Sequence, residues 1–110
     1  MLHMNKSELL EQVTRKIVER FHPRRIILFG SQAWGEATSE SDLDIFVEME
    51  TQARPPDRAV EVSSIFGLRP WSLDVVVYTP DEVQRLRKIN GTLVSVIEAE
   101  GKVLYERPSF

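Results

Sequence analysis

Apolar and polar positions change period several times along this chain, and each change marks an expected element. Asn5 with Glu8 three positions later forms a helix-start signal, and Leu9, Val13, Ile17 and Phe21 then recur on one helical face until Pro23 stops the run. Ile26, Ile27, Leu28 and Phe29 are continuously apolar, as in a strand covered on both faces. Gly30-Ser31 ends that strand where a short helix is expected to begin. From Asp42 to Met49 the period is two: Asp42, Asp44, Phe46 and Glu48 share one face, and Leu43, Ile45, Val47 and Met49 the other. A helix over 57–66 follows the Thr51 to Pro56 loop, with Asp57 as its cap, Val62, Ile65 and Phe66 as its apolar positions, and Gly67 at its end. The next strand alternates again, with Asp74, Val76 and Tyr78 on one face and Leu73, Val75 and Val77 on the other.

Thr79-Pro80-Asp81-Glu82 opens a further helix whose inward positions are Val83, Leu86 and Ile89, and Asn90-Gly91 breaks it. Thr92 to Glu100 reads as a last helix, packed through Leu93, Val96 and Ile97 and ended by Gly101, before a short edge strand over 102–106. No repeat, low-complexity tract or interdomain linker interrupts the 110 residues, so one domain, 1–110, is expected. That is small for an enzyme holding two substrates, and any second binding surface is expected from a partner.

The net charge of −3 comes without a block of like charges, which argues against a nucleic-acid binder driven by counterion release; no direct nucleic-acid contact is expected. With no cysteine there are no disulfides or thiolate metal sites. The first residues lack an apolar signal region and no apolar stretch reaches membrane-spanning length, so a cytoplasmic protein without membrane contact is the expectation.

The chemistry lies in three aspartates and a glycine-serine turn. Phosphate binding needs backbone N–H groups aimed at one point, which Gly30 permits and a helix start reinforces, and the Ser31 hydroxyl adds a donor. Mg²⁺ prefers carboxylate oxygens and keeps phosphate and water as its other ligands. Asp42 and Asp44, on one strand face, are placed to bridge two such ions, with Asp74 completing the site on the nucleophile's side. Asp74 interrupts an apolar run, where a carboxylate without a partner is costly, so a ligand or another compensating partner is expected there. A chance match to Gly-Ser, ten residues, Asp-x-Asp in a chain this long is on the order of one in a thousand.

These residues resemble a known family. Ile27-Leu28-Phe29-Gly30-Ser31-Gln32-Ala33-Trp34-Gly35-Glu36-Ala37, followed by Ser41-Asp42-Leu43-Asp44-Ile45 and by the ending Glu100-Gly101-Lys102-Val103-Leu104-Tyr105-Glu106, is similar to the minimal nucleotidyltransferase (MNT) antitoxins of the DNA polymerase β superfamily. The resemblance implies an α/β (α+β) fold, a small mixed sheet flanked by helices. It also implies Mg²⁺-dependent transfer of AMP from ATP to a tyrosine of a HEPN-type toxin partner. Members often carry arginine just after the motif serine or two residues later, where this chain has Gln32 and Trp34. Arg24, Arg25, Arg54, Arg58 and Arg69 are the candidates to supply that positive charge instead.

Plainer readings stand beside these. Gly30-Ser31 alone is a strand-ending turn, and Asp42 and Asp44 alone are a solvated strand entrance; together with Asp74 they favour the site. Glu48 shares their parity but reads as a solvated strand end. Trp34 and Trp71 read as packing residues, Tyr78 and Tyr105 as structural, and His3 and His22 lack metal-ligand spacing. Two other functions remain: a binding module that occludes the partner, and a nucleotidyltransferase for a small molecule, which at this size would need a site shared between subunits.

Overall fold

The computed structural model describes residues 5–30, 42–69 and 72–108, with the backbone alone at Asp42. Helix α1 (Lys6–Phe21) starts at a reciprocal cap: the Asn5 side chain accepts from the Glu8 N–H at 2.8 Å, and the Glu8 carboxylate accepts from the Asn5 N–H at 3.3 Å. Such caps stabilise a helix by about 1 kcal/mol. It ends at His22, whose left-handed backbone (φ 51°) turns the chain into strand β1 (Arg25–Phe29). Strand β2 (Asp42–Glu48), helix α2 (Pro55–Ser63) with a 3₁₀ turn over Ser64–Phe66, strand β3 (Ser72–Tyr78), helices α3 (Pro80–Leu86) and α4 (Leu93–Glu100) and strand β4 (Lys102–Glu106) follow.

The four strands form one mixed sheet in the order β3-β2-β1-β4. β1 is antiparallel to β2 and β4, while β2 and β3 run parallel with Asp44 opposite Asp74 and Phe46 opposite Val76. The odd-numbered residues of β2 and β3 join Ile26 and Leu28 in a core cluster with Val13 and Ile17 of α1 and Val62 of α2. On the other face Ile27 and Phe46 pack with Val83 of α3 and with Val94 and Ile97 of α4, flanked by Phe29, Val76, Tyr78 and Leu86. Tyr78 stacks on Phe46 with ring centroids 5.8 Å apart. Ile26, Ile27 and Leu28 are accordingly buried between both layers, as a continuously apolar strand requires.

Three expectations are corrected. α2 begins at Pro55, because proline is pre-set for the first helical turn; the N-cap position falls on Arg54 and Asp57 lies within that turn, next to the positive helix end. α3 stops at Leu86, capped at Arg87, and leaves Ile89 53% exposed. In α4 the inward pair is Val94 and Ile97, while Leu93 and Val96 are 41% and 42% exposed. At the turn out of α4, a Cβ on Gly101 would lie 2.5 Å from the Ile27 side chain and 2.7 Å from the Ile97 carbonyl oxygen. Only glycine lets α4 come down this close to β1. None of the described helices is long and apolar enough to cross a membrane.

Among the described strands β3 lies at an edge, and that edge is guarded. Arg58 of α2, on one face, donates to Glu82 of α3, on the other, at 2.7 Å, and also to the Ala53 carbonyl at 3.1 Å. An ion pair joining the two layers at a sheet edge hinders pairing with another strand.

Candidate functional site

β1 runs toward the end of the sheet where β2 begins, so Gly30 leaves β1 beside the first residues of β2. Phe29 is the antiparallel partner of Asp44, and Asp44 is the parallel partner of Asp74. Neighbouring strands lie about 4.8 Å apart and register partners share a face, so the two carboxylates rise side by side. Asp44 is half-buried and Asp74 exposed. Asp42 lies at the start of the same strand, opposite Ser72, with its backbone alone described. Ser31, Gln32 and Trp34 lie outside the described residues, as do Trp71 and His3.

Gly30 is the joint between cradle and carboxylates. Its φ of +78° is one that side-chain-bearing residues rarely adopt, and a Cβ there would stand 2.5 Å from Asp44 Oδ2. The glycine therefore admits the Asp44 carboxylate against the backbone that begins the expected phosphate turn. Among the described residues no group of three His, Cys, Asp or Glu side chains is gathered as a metal site. The described pair suits a hard cation even so: two carboxylates on one face, with solvent above Asp74, leave positions for water and phosphate oxygens.

With this geometry goes a sequence match: residues 11–109 fit the family described as "Polymerase beta, Nucleotidyltransferase". The chain belongs to that family. It is also 29% identical over 106 residues to the candidate protein adenylyltransferase MJ0604 of Methanocaldococcus jannaschii, covering 93% of this chain and all of that one. A second candidate protein adenylyltransferase of that organism, MJ1379, is 40% identical over 49 residues, 44% of this chain and 49% of the relative. The fold is similar to that of a crystallised candidate nucleotidyltransferase from Sulfolobus solfataricus, with a TM-score of 0.62 at 20% identity, covering 90% of this chain and 78% of that one.

Five arginines are candidates for the positive charge expected beside the phosphate turn, where this chain has Gln32 and Trp34. Three of the five candidates are committed elsewhere. Arg24 and Arg25 sit at the start of β1, the end of the sheet away from Gly30. Glu48 accepts from Arg25 Nε at 2.7 Å and lies 3.5 Å from Arg24 Nε. Arg25 also reaches Glu98 of α4 at 2.5 Å, and Glu98 in turn accepts two hydrogen bonds from Arg87. Arg58 is held by Glu82. Arg69 lies three residues before β3, at the Asp44 end of the sheet, where its Nη1 donates to the Gly67 carbonyl at 3.2 Å.

The expectation of a solvated Glu48 is thus corrected: it is 3% exposed and anchored by arginine. Burial pulls the Arg25 guanidinium down, but its hydrogen bonds to Glu98 and Glu48 and their charges outweigh this and hold its pKa above the ordinary arginine value. Burial pushes Glu98 up, and the bonds from Arg87 and Arg25 outweigh it, leaving that carboxyl below the usual glutamate range. Glu82 is likewise lowered: the Arg58 bond, the Thr79 N–H and the Arg58 charge overcome the effect of burial.

Proposed function

We propose that this nucleotidyltransferase moves AMP from ATP to a tyrosine hydroxyl of a partner protein, a HEPN-type toxin, and thereby acts as its antitoxin. The observation that carries the reading is Gly30 pressed against Asp44 while Asp44 stands beside Asp74: the glycine that opens the expected phosphate turn lies against two carboxylates on one face of the sheet. Protein as the acceptor class is supported by the description of the relative that aligns over the full length of both chains. In this reading Gly30 and Ser31 hold the triphosphate, and Asp42, Asp44 and Asp74 hold two Mg²⁺ ions. When bound, those ions neutralise the charge building on the phosphates and polarise the α-phosphorus.

The acceptor hydroxyl attacks from the β3 side, because the phosphate turn occupies the β1 side. The new bond joins the tyrosine oxygen to the α-phosphorus, the bond to the bridging oxygen breaks, and pyrophosphate leaves. Asp74, exposed at the outer strand, takes the hydroxyl proton. Incubation with labelled ATP, Mg²⁺ and the protein encoded next to this one should label that neighbour. Equal labelling by an Asp42→Asn/Asp44→Asn double variant would remove the carboxylates from the mechanism.

One observation favours a second reading, neutralisation by occlusion alone. Arg24, Arg25 and Arg58 are tied to carboxylates away from Gly30, so three of the cations that could replace the missing arginine do not serve the phosphates. Full suppression of toxicity in cells by the double asparagine variant would decide for occlusion.

A further inference from the structure

Beside Gly30, on the side away from Asp74, the sheet and α4 form a pocket of about 150 Å³. Its walls are Phe29, Gly30, Leu93, Val96, Ile97 and Gly101, with Glu100 at the helix end, and they are almost wholly apolar. Leu93 and Val96 are the two α4 side chains that the apolar pattern would turn inward and that the fold leaves two-fifths exposed. We infer that this cavity receives the base of the nucleotide donor, an inference that rests on the nucleotidyltransferase reading above.

Size, chemistry and position each point to that occupant. An apolar pocket of about 150 Å³ has room for a benzene-sized ring, so a flat heterocycle fits while phosphate, which needs polar partners, does not. Gly30 is shared by the cavity and the Asp44 contact, so the pocket begins one residue from the carboxylates. A nucleotide's base and α-phosphate are separated by a single sugar, which matches a ring socket next to a phosphate turn. The acceptor is an unsuitable occupant, because its hydroxyl must approach on the Asp74 side, two strands away across β2.

Inorganic tripolyphosphate has the phosphates without the base, and comparing it with ATP isolates the cavity. In the presence of Mg²⁺, calorimetry on Val96→Asp should show ATP bound about tenfold more weakly than by the wild type, the scale of one lost base contact, with tripolyphosphate binding unchanged. Val96→Phe, which fills the cavity without adding charge, should give the same split. Unchanged ATP affinity in both variants would overturn the assignment. So would equal weakening of ATP and tripolyphosphate, which would place these residues behind the phosphate turn, or loss of partner binding with ATP affinity intact, which would make the cavity a partner anchor. If the wild type bound neither ligand, the nucleotidyltransferase reading itself would fall.

Discussion

Asp44 and Glu48 lie four residues apart on the same face of β2, and the fold treats them in opposite ways. Asp44 stands beside a second carboxylate, Asp74, at the end of the sheet where β2 and β3 begin. Glu48 is buried at the other end, with Arg25 at 2.7 Å and Arg24 at 3.5 Å. Like charges directly opposite on neighbouring strands cost a few tenths to about 1 kcal/mol, whereas a buried glutamate is tolerable only when its partners are supplied. At one end the chain sets two arginines against a single buried carboxylate; at the other it brings two carboxylates onto one face. A protein that accepts such a local cost commonly does so for function.

The widest separation between the two ends should appear with Asp44→Asn. Removing a carboxylate at the proposed phosphate site is expected to reduce nucleotide transfer at least about a thousandfold, the scale of losing a major transition-state contact. Because asparagine keeps the shape and a hydrogen-bonding oxygen and relieves a like-charge neighbour, the melting temperature should stay within a few degrees of the wild type. A loss of folding stability in step with the loss of transfer would show that Asp44 belongs to the framework, and the contrast between the two ends would disappear.

Glu48→Ala is the converse substitution. It leaves Arg25 with Glu98 alone and opens space beneath Arg24, so about 3 kcal/mol of stability should be lost. In a domain of this size that lowers the melting temperature by roughly 10–20 °C, while transfer per folded molecule in the cold stays near the wild-type value. Thermal melts alongside the transfer assay check both halves. A shift of only a degree or two would place this cluster among ordinary surface pairs.

This contrast also shows which parts of the molecule were legible in the sequence. Signals carried by neighbours along the chain read through directly: the Asn5–Glu8 and Thr79–Glu82 caps, and the alternation that put Asp44 and Asp74 each on a definite strand face. The role of Glu48 did not, because its cation lies 23 residues away and that cation's second partner a further 73 from it. Alternation specifies faces but not strand order, so the meeting of Asp44 with Asp74 needed the parallel β2–β3 pairing. The Gly30–Asp44 contact is a tertiary approach that no local spacing encodes. α4 was misphased because Leu93, Val94, Val96 and Ile97 surround a short helix with apolar residues, so no single stripe marks the buried side. The serine of the expected phosphate turn, the short helix expected after it and both tryptophans lie outside the described residues.

Acid tests the paired end from another direction, with a smaller effect. Glu98 and Glu82 have folded-state pKa values held below the ordinary 4.5 by their arginines. For a carboxyl depressed in this way, the stabilisation is complete above the unfolded value and is lost as the pH falls through the folded one. Both carboxylates remain partly exposed, so their combined contribution is about 1–2 kcal/mol after allowance for solvent screening. Denaturant midpoints should therefore be level down to about pH 5 and then fall toward pH 3. Glu98→Gln should lower the neutral plateau and flatten that descent, because a neutral amide has no proton to take up. A variant that kept the full wild-type slope would mean that the Arg25 and Arg87 pairs of Glu98 carry none of the acid response.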